Sequence, residues 1–567
     1  MASAKFTVFQ PVPVPSGPPE YEAQRASILA EFAAKVLREL FLPQAVFDSA
    51  PRNVTAIPRE CGLLTAEELA ITENYDAVTL AEAMRTRKLT AVAVATAFAK
   101  RAIIAHQLTS CLSEWFMDEA VARAQELDAH LARTGITVGP LHGVPVSLKE
   151  IIPLAGHTSS TGLLVTRHVD DADSQLVAIL RAAGAVFYCK TAQPQAVMSY
   201  ESASPAGRVL NPHHTGLSAG GSSGGEAALV ALRGSVLGIG SDIGGSVRGP
   251  AALSGVYGFK STSAALFPIH DFVKGGFAAT MTVPAAAGPI ASSLRGIDLF
   301  TSVVHAARPY LQDPSLAPLP WSGLAGTGSA KKPLKVGFMT HDGAIVPQPP
   351  VLRALAWARA QLDAAAPGQF ETKDFAPYGS AQVMASQRAA YWPDGGRGLK
   401  AALAAAGEPM FPLTEWIIRD GAAATEVTGE MSATGVLALR VARDAFRVAF
   451  AAHWTAQDVD VVVCPAFVGP APVHETGLYW NYAAFWNYLD YPGVAVPTPV
   501  TVLAKGGEGF AAEHAVPLSD ECRHVRQLWG EGDFEGAPVG LQIVARRHHD
   551  NELFGALHVM KEALGLK

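Results

Sequence analysis

The sequence of 567 residues is poor in cysteine, poor in charge and free of long apolar runs, and each shortage excludes something. Its five cysteines (Cys61, Cys111, Cys189, Cys464 and Cys522) are far apart, odd in number and form no CxxC pair. That excludes a disulfide framework and supplies no zinc-ligand spacing, so reduced and mostly buried thiols are expected. Charged residues are only 17% of the chain, with 44 Lys+Arg against 51 Asp+Glu for a net charge of -7. Such a balance does not attract phosphate backbones or anionic lipid, so the expected partner is a small molecule rather than nucleic acid or a membrane surface. No stretch reaches the roughly 18 apolar residues of a membrane span. The opening MASAKFTVFQPVPVPSGPPEYEAQ also lacks the continuous apolar core of a secretion signal. A cytoplasmic protein is expected, in which the Asn53-Val54-Thr55 sequon is a chance match. No HExxH or carboxylate pair calls for a metal, and no cofactor is expected.

What is present is apolar material: 49% of residues are hydrophobic, enough for a large folded core. Ile28, Leu29, Phe32, Val36, Leu37 and Leu40 recur at helical spacing and predict an amphipathic N-terminal helix. Thr65 with Glu68, and Thr79 with Glu82, read as capping boxes at two helix starts. The runs 185–189, 461–464 and 539–544 read as buried strands between helical segments, an alternation that means α/β. The Gly- and Ser-rich stretch 321–333, followed by a strand-like run over 334–338, is expected to be a surface connection. Residues 1–60 are taken as an extension whose helix packs on the body or on a partner subunit, and 61–567 as one domain.

Residues 216–262 are dense in glycine and serine without the charge of a flexible linker. Repeated glycine beside serine suggests tightly turned backbone whose N–H groups and hydroxyls face a ligand. A phosphate cradle does not fit, because no Lys follows these glycines at P-loop spacing and Ile243 stands where a dinucleotide motif needs glycine. Gly220-Gly221-Ser222-Ser223-Gly224 does match the GxSxG of α/β-hydrolases, but turn formers over 211–216 precede it where a strand should run into the serine.

The third reading joins this stretch to the segment LHGVPVSLKE at 141–150. Together with GGSSGG at 220–225, GSDIGGSVR at 240–248 and GVYGFK at 255–260, it resembles the amidase signature family of serine hydrolases. Ser246 lies 24 residues after Ser222, the spacing of that pattern. The stretches 190–194, 198–202 and 536–544 extend the likeness, while 97–150 and Leu489-Asp490-Tyr491-Pro492 are similar to the fungal acetamidase branch. The resemblance covers roughly residues 60–560 and is weakest over 320–460.

It implies one α/β/α domain with a large mixed sheet flanked by helices on both faces, and often a homodimer. It also implies Ser246 as nucleophile, Ser222 as a bridging serine on a cis peptide after Gly221, and Lys149 as base. Ile243, Gly244, Gly245 and Ser246 would form the oxyanion hole. Ser223, Asp242 and Arg248 are expected to support the loop, the last two as an ion pair. The chemistry agrees with these residue types: an alkyl hydroxyl needs a base, and a lysine in apolar surroundings such as Val144, Pro145, Val146 and Leu148 loses its charge more readily.

Tyr200, Trp480 and Trp486 are candidates for the substrate pocket, the tryptophans equally for the core. His213-His214 and His548-His549 are expected to be solvated loop residues. Ser241 in place of Thr keeps a hydroxyl. Gly249 for a bulky residue, Ser261 for proline and an altered 204–207 leave pocket shape open, and the glycine suggests extra room for a large acyl or carbamate group. The expected activity is hydrolysis of a carboxamide through an acyl-enzyme. Two alternatives stand beside it. One is an esterase or carbamate hydrolase, on the same site or with an α/β-hydrolase triad from Ser222 to His548. The other is a transamidase-type subunit that needs partners.

Overall fold

The computed structural model of the protein describes residues 6–567 apart from 50, 264, 274, 275, 277, 327–332 and 424–429. Eleven strands form one mixed sheet: β1 (Leu112–Trp115), β2 (Pro145–Lys149), β3 (Val186–Thr191), β4 (Leu237–Asp242), β5 (Tyr257–Lys260), β6 (Ala286–Ala291), β7 (Leu334–Phe338), β8 (Phe370–Asp374), β9 (Val461–Pro465), β10 (Gly493–Thr501) and β11 (Pro538–Val544). They lie in the order β1-β3-β2-β4-β6-β5-β10-β11-β9-β7-β8. The pairs β2/β3 and β2/β4 are parallel, as are β7/β9 and β7/β8, and the strands between these two groups run antiparallel. All the strands read from short apolar runs are here. Strands β2, β3, β9 and β11 are buried along their whole length, which is why they read as continuous apolar runs instead of alternating ones. Helices pack against this sheet, among them the largely buried Ala91–Thr109.

Four expectations change. The first helix spans Pro19–Ala34, not the 28–40 stretch, and buries only Tyr21. Proline at its start, with φ already set for a helix, begins it early. Beyond it the chain tightens into the 3₁₀ turn Arg38–Leu40, so Val36 and Leu40 are buried while Leu29 and Leu37 are 40% and 44% exposed. The helix is tied to the body by Arg25, whose Nε donates to the Pro205 carbonyl at 2.7 Å. Thr65 and Glu68 do make a capping box, but the next one pairs Asp76 with Thr79 in place of Thr79 with Glu82. Asp76 wins because its carboxylate also accepts from Ser293 and Arg295, whereas Glu82 points outward to Arg85.

The segment expected to be all turn before Ser222 contains the hairpin Leu210–Asn211 with His214–Ser218, outside the main sheet. His214 is buried in it and His213 Nε2 lies 3.2 Å from the Ser254 carbonyl, so neither is a solvated loop residue. His548 and His549 are exposed. Of the 321–333 connection, residues 327–332 lie outside the described residues. Its start is pinned, with Trp321 edge-on to Phe554 at 4.8 Å and its Nε1 donating to Asp298 at 2.9 Å. The cysteines are free, and all but Cys61 are buried. Among the described residues no helix is long and apolar enough to cross a membrane.

Candidate active site

Adjacent parallel strands bring the site together. β2 ends at Lys149 and β4 at Asp242, so the loop 243–247 leaves the sheet beside the lysine. The serine loop packs on both, because it turns into helix Gly224–Ala231, and the Ser223 N–H donates to the Ser246 carbonyl at 3.1 Å. The Gly221–Ser222 peptide is cis. Lys149 Nζ donates to Ser222 Oγ at 2.6 Å and to Ser241 Oγ at 3.0 Å. Burial disfavours the ammonium and brings Lys149 down to about 7, against the opposing pull of Asp242, Glu226 and Glu150. A lysine in this setting is neutral for an appreciable fraction of the time at physiological pH and can accept a proton.

Ser222, Ser241 and Ser246 line one cavity of about 520 Å³. Most of the rest of its lining is apolar, including Ile151, Leu163, Phe267, Phe272, Leu316 and Trp392. Beside it the loop from Asp242 to Arg248 is held rigidly. Both carboxylate oxygens of Asp242 meet Arg248, at 3.1 Å from Nε and 3.1 Å from Nη2, and neither side chain touches solvent. Arg248 also donates to Asn487 at 2.7 Å, the Ala483 carbonyl at 3.0 Å and Gln542 at 2.9 Å. The guanidinium holds the Asp242 carboxyl well below the ordinary range despite burial.

Asp242 accepts from the Gly245 N–H at 2.8 Å and the Val247 N–H at 3.2 Å. Gly245 therefore spends its donor on the loop and leaves the expected oxyanion set. Among the described residues the N–H groups of Ile243, Gly244 and Ser246 meet no acceptor. Gly245 has φ +107° and lies where a Cβ would fall 2.3 Å from that of Ala483, so only glycine fits this turn. The Ile243 carbonyl is fixed from a third direction by the Tyr391 hydroxyl at 3.0 Å.

The three aromatic candidates are elsewhere. Trp486 lies in the fully buried helix Asn481–Leu489, edge-on to Trp454 at 6.2 Å. Trp480 and Tyr200 pack against each other at 5.9 Å without lining the cavity. Tyr200 also removes the room that Gly249 was expected to open: a Cβ on Gly249 would fall 1.7 Å from the Tyr200 hydroxyl. The glycine exists to admit the tyrosine. Ser223 supports the loop through its backbone, its hydroxyl being buried without a hydrogen-bond partner. His548 lies outside the cavity lining. Sequence reasoning missed Tyr391, Trp392 and Leu399, which come from the unrecognised middle of the chain, and also Asn487 and Gln542. It missed Glu226 too, although an acid inside the apolar run EAALVAL was a visible signal.

Against this geometry the likeness to known proteins is extensive. The family model described as Amidase matches residues 93–554. A putative amidase of Schizosaccharomyces pombe is 42% identical over 507 residues, covering 89% of this chain and 92% of that one. An acetamidase of Emericella nidulans is 32% identical over 530 residues, covering 91% and 94%. The solved structure of a fatty acid amide hydrolase superposes with a TM-score of 0.87 at 29% identity, covering 96% of each chain. This chain belongs to the amidase signature family. It is a hydrolase of carbon–nitrogen bonds other than peptide bonds.

Proposed function

We propose that the protein hydrolyses a carboxamide through an acyl-enzyme on Ser246, with Ser222 as proton relay and Lys149 as base. The observation that carries this reading is the buried, readily neutralised Lys149 at 2.6 Å from Ser222 Oγ, beside a cavity that Ser222 shares with Ser246. Ser246 Oγ attacks the carbonyl carbon and its proton passes by way of Ser222 to the lysine amine. The N–H groups of Ile243, Gly244 and Ser246 are the donors available to the developing oxyanion, each worth about 3 kcal/mol in comparable sites. The proton returns through Ser222 to the departing nitrogen as the C–N bond breaks. Water then cleaves the ester by the same path, giving carboxylate and free Ser246.

The apolar lining and the cavity volume favour an acyl group well beyond acetyl, since a pocket of several hundred Å³ can enclose most of a medium-sized ligand. The room comes from residues 163, 267, 272, 316 and 392, not from Gly249.

The test is covalent labelling of purified protein with a fluorophosphonate, followed by peptide mapping, for wild type and Lys149→Ala. Mass on Ser246 that accumulates far more slowly in the variant is expected. Mass on Ser222 at a rate indifferent to Lys149 would overturn the triad.

A further inference from the structure

Lys149 has a buried acidic neighbour that makes and breaks no bonds in this chemistry. Glu226 sits in the first turn of helix Gly224–Ala231, just after Ser222 and Ser223, and is wholly buried. Its Oε2 accepts from Ser147 Oγ at 2.6 Å and its Oε1 from Thr191 Oγ1 at 2.9 Å. Ser147 and Lys149 are two apart on β2 and so leave the same face of the strand. Thr191 on β3 is the register partner of Lys149. On the other side, Gly238 of β4 pairs with Ser147, and a Cβ there would fall 1.9 Å from Glu226 Oε2. Three strands thus make room for one carboxyl group and hold it next to the lysine.

We propose that Glu226 is a positioning residue of the amide-hydrolysing site: it ties the lysine strand to the serine helix and governs the acidity at which Lys149 gives up its proton. This rests on Lys149 being the base. Burial pushes the Glu226 carboxyl up to about 7, against its hydrogen bonds from Ser147 and Thr191 and the attraction of Lys149. The two groups therefore titrate in the same range, each feeling the other's charge. Lys149 also faces Asp242 from β4, whose charge is held by Arg248, and Glu150, the next residue along the chain. Glu226 also faces Tyr188 and Cys189 of β3 and Cys111, all kept neutral by burial. Burial raises the Glu150 carboxyl as well, but Glu226 is the acid that takes a hydrogen bond from Ser147 on the lysine's own strand. When ionised it favours the ammonium. Removing that charge lets the lysine deprotonate at lower pH, so the acid limb of the activity profile moves down.

The experiment is the pH profile of kcat/KM on a chromogenic anilide for wild type, Glu226→Gln, Ser147→Ala and Lys149→Ala. Glu226→Gln is expected to move the acid limb about one unit to lower pH, the usual size for loss of one close charge. Ser147→Ala removes a donor to the carboxylate, keeps Glu226 protonated to higher pH and shifts the limb the same way by less. A rate lowered evenly at every pH, with the limb unmoved, would mean a merely structural residue and overturn the inference. If Glu226→Gln does not fold, Ser147→Ala decides alone, and an unmoved limb overturns it. Failure of the triad has a different signature: Lys149→Ala would then keep the wild-type rate and limb. Loss of activity in Lys149→Ala together with an unmoved limb in Glu226→Gln would sink only the role of Glu226.

Discussion

Lys149 and Lys190 stand on neighbouring strands, equally buried, and their surroundings make different residues of them. Lys190 Nζ donates to the Thr158 carbonyl at 2.8 Å and Ser159 Oγ at 2.7 Å, with Asp170 at 3.8 Å. A carbonyl can only accept, and the carboxylate favours a positive neighbour, so the environment of Lys190 is built for an ammonium. Burial still brings it down to about 8. Among the described residues the Lys149 amine hydrogen-bonds only with the hydroxyls of Ser222 and Ser241, which donate as readily as they accept, and so tolerates either protonation state. A third buried lysine, Lys260, resembles Lys190: it donates to two carbonyls and lies 3.5 Å from Asp490. Burial alone does not set these lysines apart; the chemistry of their partners does.

The sharpest way to break this contrast is to delete each amine. Lys149→Ala should cost about 10²- to 10⁴-fold in kcat, the range for loss of a general base, with little change in urea unfolding. Comparable loss from Lys190→Met in fully folded protein would erase the distinction. Arg248→Leu tests the rigid side of the site. It leaves Asp242 charged and buried without its cation, so a loss of about 3–5 kcal/mol in urea unfolding is expected. An unchanged midpoint and unchanged kinetics would show the network to be dispensable.

The pH profile comes next in size. As the proposed base, Lys149 would act in its neutral form, and burial brings it down to about 7, so kcat/KM is expected to fall about tenfold per unit below pH 7, reaching roughly a hundredfold by pH 5. A flat profile over that range would remove the lysine from the mechanism. Lys190→Met should act through stability, by about 2 kcal/mol for the partners it leaves buried, with kcat within a few-fold of wild type. The smallest effect concerns the substrate. Across a series of straight-chain acyl anilides each added methylene should improve kcat/KM by up to about 0.8 kcal/mol until the cavity is filled. Preference for the acetyl member would contradict the apolar lining.

Legibility differed along the chain for physical reasons. Where a short segment must turn tightly and present hydroxyls and N–H groups, as over 216–262, few residue types fit, and the pattern is readable from letters alone. The helix and cap errors came from competition between local signals, as when Asp76 outbid Thr79 through partners more than two hundred residues away. The aromatic run at 479–488 read equally as pocket or core, because burial looks the same in sequence whichever side it faces. The folded chain puts its helix in the core and uses Asn487 from it to brace Asp242 at 2.8 Å. The middle of the chain had no recognisable pattern, yet it supplies Tyr391 to the loop carbonyl and Trp392 to the cavity.

By itself the sequence determined the α/β class, the mixed sheet, the family and the residue types able to carry the reaction. Tertiary structure decided which lysine can be neutral, that Gly245 serves its loop, that Tyr200 fills the space over Gly249 and that Glu226 lies against the strand of Lys149. Residue identity specifies what a group can do locally. Protonation, free volume and spare hydrogen-bond donors depend on neighbours that only long-range folding brings within a few ångströms.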